Sequence, residues 1–400
     1  MPVFIPHRAW WSTPFVRWQG AFADLHSLRF AAHVAARELA ARELDPSRID
    51  YGVLGMTVPQ QGSFYGLPWA MGEIGAKAVA GPTIAQACAT GARVLAAATD
   101  EIMRGDADIA FAMACDRVSN GPELYYPAPN APGGSGRHET WVLDNFSKDP
   151  FAGLAMVQTA ENVAARHNIS TAEQNDVTLC RYEQYGQALA DDGAFLRRFM
   201  TLPFDVPDAR FGKVVGQLDG DEGVHRTTAE DLAALRPVLD GGTVTYGGQT
   251  HPADGNAAVV LVSGDRLAEV AAPGDPAIQV VAFGQARVEP GFMPAAPVPA
   301  AERALASAGL AIDQMDAIKT HNPFAVNDIV LARAFGLDVM RINNYGCSLV
   351  WGHPQAPTGL RSIIELIEEL LARGGGYGLF TGCAAGDTGM AAIVKVEGGG

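Results

Sequence analysis

Two stretches of this chain carry the same order of elements, and that repetition limits what it can fold into. In the first, an apolar strand pattern over residues 81–85 meets a tight turn, Gln86-Ala87-Cys88-Ala89-Thr90-Gly91. A helix pattern over 92–102, a turn at Gly105-Asp106-Ala107-Asp108 and a strand pattern over 109–114 follow. In the second, residues 341–347 lead through a loop into a long helix pattern over 358–373. A glycine turn at 374–376 and a strand pattern over 377–383 complete it. Apolar strands at 257–262 and 391–396 echo one another. Alternating strand and helix patterns predict an α/β sheet, and the repeat predicts two copies of it. Sites in such sheets gather beyond the carboxyl ends of the strands.

The remaining text divides around that repeat. An Ala-rich amphipathic helix over 28–39 and a buried strand over 51–58 precede the first unit. From about 116 to 242 the texture changes: Pro and Gly cluster over 127–134, and helical patches cover 153–167 and 171–189. This reads as a loop domain inserted before the sheet resumes at Thr243-Val244-Thr245. Ala272-Pro273-Gly274-Asp275-Pro276 is the best linker. The expected halves are therefore residues 1–271, with the insertion, and 272–400. A helix over 300–308 and a strand over 316–320 open the second half.

Composition excludes several classes of function. The 400 residues, 48% hydrophobic and 18% charged, suffice for a large packed core. A formal net charge of −15 argues against nucleic acid as a partner, because phosphate binding needs a basic field. No apolar run reaches membrane-spanning length, and the N-terminus lacks the basic-then-apolar pattern of a secretory signal. Five scattered cysteines suit a reducing cytoplasm better than a disulfide frame. No Cys or His spacing suggests a metal.

Chemistry-bearing residues stand at the strand ends. Cys88 sits at a strand-to-helix turn, where free N–H groups and the helix dipole favour a thiolate. His321-Asn322-Pro323-Phe324-Ala325 follows the strand ending at Thr320. Gly352-His353-Pro354 precedes the long helix, and Gly382-Cys383-Ala384-Ala385-Gly386 follows the last repeated strand. Two cysteines and two histidines meeting in a dry pocket suit carbon–carbon chemistry at a thioester. A thiolate takes the acyl group, a histidine takes the thiol proton, a second acid/base works at the alpha carbon, and donors hold the developing oxyanion. Taken alone, Cys115 and Cys180 read as packing residues, as does Cys347, which also sits in a loop of the expected site.

In these motifs, in this order, the sequence resembles the thiolase family over nearly its whole length. Cys88-Ala89-Thr90-Gly91 is similar to the family's nucleophile turn, and residues 321–325 to its Asn-Glu-Ala-Phe-Ala stretch. Gly352-His353-Pro354 is similar to its Gly-His-Pro, and Cys383-Ala384-Ala385 to its Cys-x-Gly. Thr159-Ala160-Glu161-Asn162-Val163-Ala164 and Thr243-Val244-Thr245 also match. The resemblance implies a five-layered αβαβα fold of two duplicated halves with an inserted loop domain. It implies acyl transfer through a cysteine thioester: thiolysis of a 3-oxoacyl-CoA, or the reverse Claisen condensation with acetyl-CoA. Cys88 is then the nucleophile, His353 its activator and Cys383 the acid/base at the alpha carbon. His321 binds the thioester oxygen, directly or through a water, and the N–H groups of Cys88 and Ala385 form a second oxyanion hole. Met156, Thr250, His251 and Phe324 would contact the acyl–pantetheine part, and Arg226 and Thr227 the nucleotide of coenzyme A, which is a substrate and not a cofactor. A homodimer or dimer of dimers is implied.

Departures from the family pattern are visible as well. His321 stands where the commonest form has Asn. Asn322 and Pro323 replace Glu and Ala, Ala385 replaces Gly, and Trp351 replaces a smaller residue. Two other readings suit some of these residues: a beta-ketoacyl synthase-like enzyme using Cys88, His321 and His353 without Cys383, or a thioester- or lipid-binding relative without turnover.

Overall fold

The computed structural model describes residues 1–398. The strands and helices that carry the site are, in chain order, β1 (Val3–Ile5), α1 (Ser27–Ala41), β2 (Tyr51–Gly55), α2 (Gly66–Ile74), β3 (Thr83–Ile84), α3 (Thr90–Arg104) and β4 (Ile109–Arg117). The inserted region supplies α4 (Trp141–Ser147), α5 (Met156–His167) and α6 (Thr171–Ala188). Then come β5 (Ala253–Ser263), β6 (Ala277–Arg287), α7 (Pro297–Ala308), β7 (Ala317–His321), α8 (Ala325–Phe335), α9 (Ala356–Arg373), β8 (Gly376–Ala384) and β9 (Thr388–Glu397).

The repeat is visible in the sheet. Strand order is β7-β8-β9-β6-β1-β5-β4-β2-β3, with Trp10–Ser12 and Val16–Arg17 added on β5. Reading outward from the middle, β1-β5-β4-β2 matches β6-β9-β8-β7 in order. The directions match too: two antiparallel pairings and then a parallel one on each side. The two copies meet where β1 pairs with β6, so hydrogen bonding runs unbroken through both.

Helices α3 and α9 pack on each other and on strands of both halves, so they form a central layer between two sheet faces. Helices α1 and α2 cover the outside of the first half and α7 the outside of the second, giving five layers. Strand β5 is buried at every position, as a strand between helical layers must be. The two central helices cross closely because they meet at glycines. A Cβ at Gly91 would lie 2.3 Å from the Leu360 backbone nitrogen, and one at Gly359 would lie 3.2 Å from that of Ala92.

Three expected strands differ from the structure. β2 stops at Gly55 and does not reach 58, because the N–H groups of Thr57 and Val58 donate to the Asp116 carboxylate, each at 2.9 Å. Thr243-Val244-Thr245 is not in the sheet. Glu161 accepts the N–H groups of Thr243 and Val244 at 2.7–2.9 Å, and the sheet resumes at Ala253. The strand expected over 81–85 is only Thr83–Ile84. It is an edge strand and is not buried, since Pro82 has no N–H to continue the ladder.

Candidate active site

Cys88 stands out of a turn held by its neighbours. Ala87 adopts φ 45°, a left-handed conformation that costs a non-glycine residue energy. Thr90 clamps the turn: its hydroxyl donates to the Ala87 carbonyl at 2.6 Å and accepts the Gln86 N–H at 2.8 Å. The thiol therefore projects, half-buried, just ahead of α3.

The second half brings the other groups to it. His353 lies in the loop before α9, its backbone N–H donating to the His251 carbonyl at 2.8 Å. His353 Nε2 is 3.1 Å from Cys88 Sγ, and Nδ1 is 2.7 Å from the Thr358 hydroxyl. In the tautomer that donates Nδ1–H to Thr358, Nε2 is free to accept the thiol proton. His321, at the end of β7, lies against His353, ring centroids 4.2 Å apart and planes tilted by 31°. Its Nδ1 is 2.9 Å from Ser348 Oγ, while its Nε2 is buried with no partner. Cys383, near the end of β8, is fully buried and accepts from Asn327 Nδ2 at 3.3 Å. The Ala385 N–H and the N–H of Cys88 itself point at the Cys88 sulfur.

Burial sets the charge states. It pushes the Cys88 thiol up to about 11, against the smaller pull of the two N–H donors. The thiolate expected at the helix start is therefore not the resting form: Cys88 precedes α3 in an apolar surround, and desolvation outweighs the dipole. Burial also lowers His353 to about 3, with His251 adding to it, and holds His321 well below the usual histidine range, with His353 adding to it. Cys383 is raised by burial and then by the neighbouring Cys88 sulfur. The resting pair is thus neutral thiol and neutral imidazole. Cys88 Sγ and the ring nitrogens of His321 and His353 lie within 4.8 Å of one another, a soft donor set of the kind zinc prefers. It is the trio of this sort found among the described residues.

Several residues that position the site were not singled out from the sequence. Asp116 ends β4 and is fully buried. It accepts from the N–H groups of Thr57, Val58 and Ala356 and from the Thr57 hydroxyl at 2.7–2.9 Å, tying the first turn of α9 to the Cys88 side. Burial raises its carboxyl to about 7. A carboxylate at the end of an all-apolar strand was the available signal. Asn322, at the family's Glu position, accepts from Ser348 Oγ and the Leu349 N–H and donates to Asp328 and to Cys347 Sγ at 2.7–3.2 Å. The substitution therefore keeps a structural hydrogen-bonding role.

Cys88 and His353 open onto a cavity of about 820 Å³ that Met156, Thr250, Phe324 and Ala385 also line. The Thr250 hydroxyl donates to the Ser348 carbonyl. His321 and Cys383 sit behind its wall, fully buried. His251 contributes its carbonyl to the His353 loop, while its ring nitrogen Nε2 is buried without a partner and the side chain does not line the cavity. Arg226 is exposed and Thr227 half-buried, both outside the cavity. The residue after them, Thr228, caps a short helix in a capping box with Asp231.

A duplicated α/β sheet that brings a cysteine and a histidine together at its strand ends suits an enzyme that works through a cysteine nucleophile. Residues 10–265 match the model of the thiolase N-terminal domain and residues 275–396 that of the thiolase C-terminal domain. The chain belongs to the thiolase family. Beta-ketothiolase BktB of Cupriavidus necator is 31% identical over 385 residues, covering 94% of this chain and 95% of that protein. An acetyl-CoA acetyltransferase of Pseudomonas aeruginosa is 31% identical over 389 residues, covering 93% and 94%. The crystal structure of human mitochondrial 3-ketoacyl-CoA thiolase superposes with a TM-score of 0.89 at 27% identity, covering 98% of each chain. Its complex with CoA superposes at 0.88 and 26% identity. This chain is accordingly an acyltransferase of the thiolase type, acting on acyl-CoA. Among the described residues, no helix is long and apolar enough to cross a membrane.

Proposed function

We propose that this thiolase transfers acyl groups through Cys88, in the ping-pong order of a thioester exchange. His353 Nε2 takes the Cys88 proton as sulfur attacks the carbonyl of a 3-oxoacyl-CoA. The bond between carbonyl carbon and alpha carbon breaks, and Cys383 returns a proton to the departing alpha carbon, releasing acetyl-CoA. His353 passes the Cys88 proton on to the Cys383 thiolate before the second half begins. Free CoA then attacks the acyl-Cys88 thioester, its thiol proton passing to His353, and the departing Cys88 thiolate takes that proton back from His353 as the cycle closes. Run backward, the same steps condense an acyl group with acetyl-CoA.

The N–H groups of Cys88 and Ala385 receive the oxyanion on the acyl carbonyl, and the unpartnered Nε2 of His321 faces the thioester oxygen of the acetyl part, directly or through a water. Among the described residues Asp149 is the one charged residue on the cavity wall and it is acidic, so the phosphates of CoA lie outside, where exposed Arg226 and half-buried Thr227 are the residues assigned to them. We place the active protein as a homodimer or dimer of dimers in a reducing cytoplasm, which suits its five free cysteines.

The observation that carries the reading is the 3.1 Å contact between His353 Nε2 and Cys88 Sγ, far from one another in sequence. Intact mass spectrometry after mixing with acetyl-CoA tests it. One acetyl adduct on Cys88, absent in Cys88→Ala, is expected. An adduct that persists in Cys88→Ala overturns the nucleophile. Decarboxylation of malonyl-CoA without any thiolysis would favour the synthase-like use of Cys88, His321 and His353 instead.

A further inference from the structure

The cavity in front of Cys88 takes the pantetheine arm as well as the acyl group, and its lining is mostly apolar. It holds about 820 Å³, toward the top of the range of about 300–1,000 Å³ seen for whole ligand pockets. Its far wall is built by α4 and the loop after it, which place Trp141, Val142, Leu143, Phe146 and Phe151 on the lining. This wall has its own small core, Val58, Val118 and Val142 with Trp18, Trp141 and Phe146 against it, separate from the cores of the sheet. Two contacts fix it. The Trp141 indole donates to the Thr57 carbonyl at 2.9 Å, and Asp149 accepts the N–H groups of Phe151 and Ala152 at 2.7 and 2.8 Å.

The charge pattern is as restrictive as the shape. Among the described residues no lysine or arginine lines the cavity. His353, its only imidazole, is held neutral by burial. A second carboxylate on the acyl chain would enter without a cation and beside the acidic Asp149, and an unpaired charge in an apolar site is costly. A very small acyl group fails differently. It leaves apolar walls facing empty space, with their dispersion contacts unmade, and apolar voids hold water poorly. Leu143 and Phe151 are 56% and 73% exposed, apolar surface at the cavity that an apolar ligand would cover.

We infer that the acyl group handled by this thiolase is bulky, apolar and uncharged: ring-bearing, branched or of medium length, and neither acetoacetyl nor a chain ending in a second carboxylate. This rests on the acyl-transfer reading above. Thiolysis kcat/KM for 3-oxo-3-phenylpropionyl-CoA, 3-oxooctanoyl-CoA, acetoacetyl-CoA and 3-oxoadipyl-CoA tests it. One or both of the first two should exceed acetoacetyl-CoA by at least about tenfold and 3-oxoadipyl-CoA by at least about a hundredfold. A best rate with acetoacetyl-CoA or 3-oxoadipyl-CoA overturns this inference and leaves acyl transfer standing. No thiolysis of any of them, with no adduct on Cys88, defeats the acyl-transfer reading itself. Leu143→Arg places a cation at the wall from an exposed position. It should raise the ratio of 3-oxoadipyl-CoA to 3-oxooctanoyl-CoA by about tenfold, and a ratio that does not move shows that the acyl end lies elsewhere.

Discussion

At the scale of single residues, burial keeps the groups of the site neutral. Cys88 raised to about 11 and His353 lowered to about 3 share one cause, loss of water, so neither carries charge at neutral pH. The sign can be followed in the alkylation of Cys88 by iodoacetamide. A raised thiol pKa means the thiolate fraction grows by about tenfold per pH unit between pH 7 and 10 without levelling. A plateau at pH 8 or below would show a preformed ion pair instead. The acylation rate should show no acid limb from His353 down to about pH 5, because a lowered pKa keeps Nε2 a free acceptor there. Cys383→Ala is expected to take up the acetyl adduct on Cys88 normally while thiolysis kcat falls by about 10²–10⁴-fold, the usual weight of one acid/base. Thiolysis at the wild-type rate would remove Cys383 from the mechanism. The four residues that the structure brings together here were legible in the sequence because each stands in a short motif beside a strand or helix end. Their state of charge was not: the helix dipole is a local feature, whereas desolvation is imposed by the cavity, assembled from residues far apart in the chain.

At the scale of elements, the repeat carries the site. Cys88 precedes α3 and His353 precedes α9, so the 3.1 Å contact depends on how these two helices cross. They cross on Gly91 and Gly359. Gly91→Ala would set a methyl 2.3 Å from the Leu360 nitrogen and 2.8 Å from the Ala356 carbonyl, both backbone atoms in the N-terminal turns of α9. One helix must move, at a cost of about 1–3 kcal/mol. The expected result is a lower denaturation midpoint together with slower acetylation of Cys88. A lower midpoint with unchanged acetylation would mean that the shift is absorbed away from the site. Helices and long strands were readable from their apolar periods. The strand boundaries that were misplaced, at residues 56–58 and 243–245, share a reason. Asp116 and Glu161 take up backbone N–H groups that a strand would have used, and no local pattern in those stretches announces an acidic partner dozens of residues away.

At the scale of the whole molecule, the inserted region is locked to the central layer by buried charge. Asp221 lies in the insertion. Its carboxylate accepts from both terminal nitrogens of Arg361 on α9 at 2.6 and 2.7 Å, from the Tyr185 hydroxyl of α6 at 2.8 Å and from the Phe15 N–H at 2.6 Å. Arg361 also pairs with Glu365 at 3.1 Å, and its guanidinium lies over the rings of Trp351 and Phe15, 4.2 and 4.6 Å from their centroids. Trp351, which replaces a smaller residue of the family pattern, is thus a platform for this arginine and not a wall of the cavity. Removing one partner leaves the other charged and buried, so Asp221→Ala is expected to cost about 3–5 kcal/mol. The cost should fall on the seating of the insertion, and with it on the cavity wall that α4 and its loop supply. Hydrogen exchange is the sharper reading: amides of α6 and of residues 141–157 should lose protection more than those of β5. Equal loss in all three would mean that Asp221 supports the fold as a whole. The double variant Asp221→Leu with Arg361→Met separates charge from packing, because it leaves neither charge of the pair behind and Glu365 keeps its ion pair with Lys319 at 3.3 Å. If the lock is electrostatic in origin, it should be more stable than Asp221→Ala alone. If it is no more stable, the arginine acts mainly by filling the space between two aromatic rings.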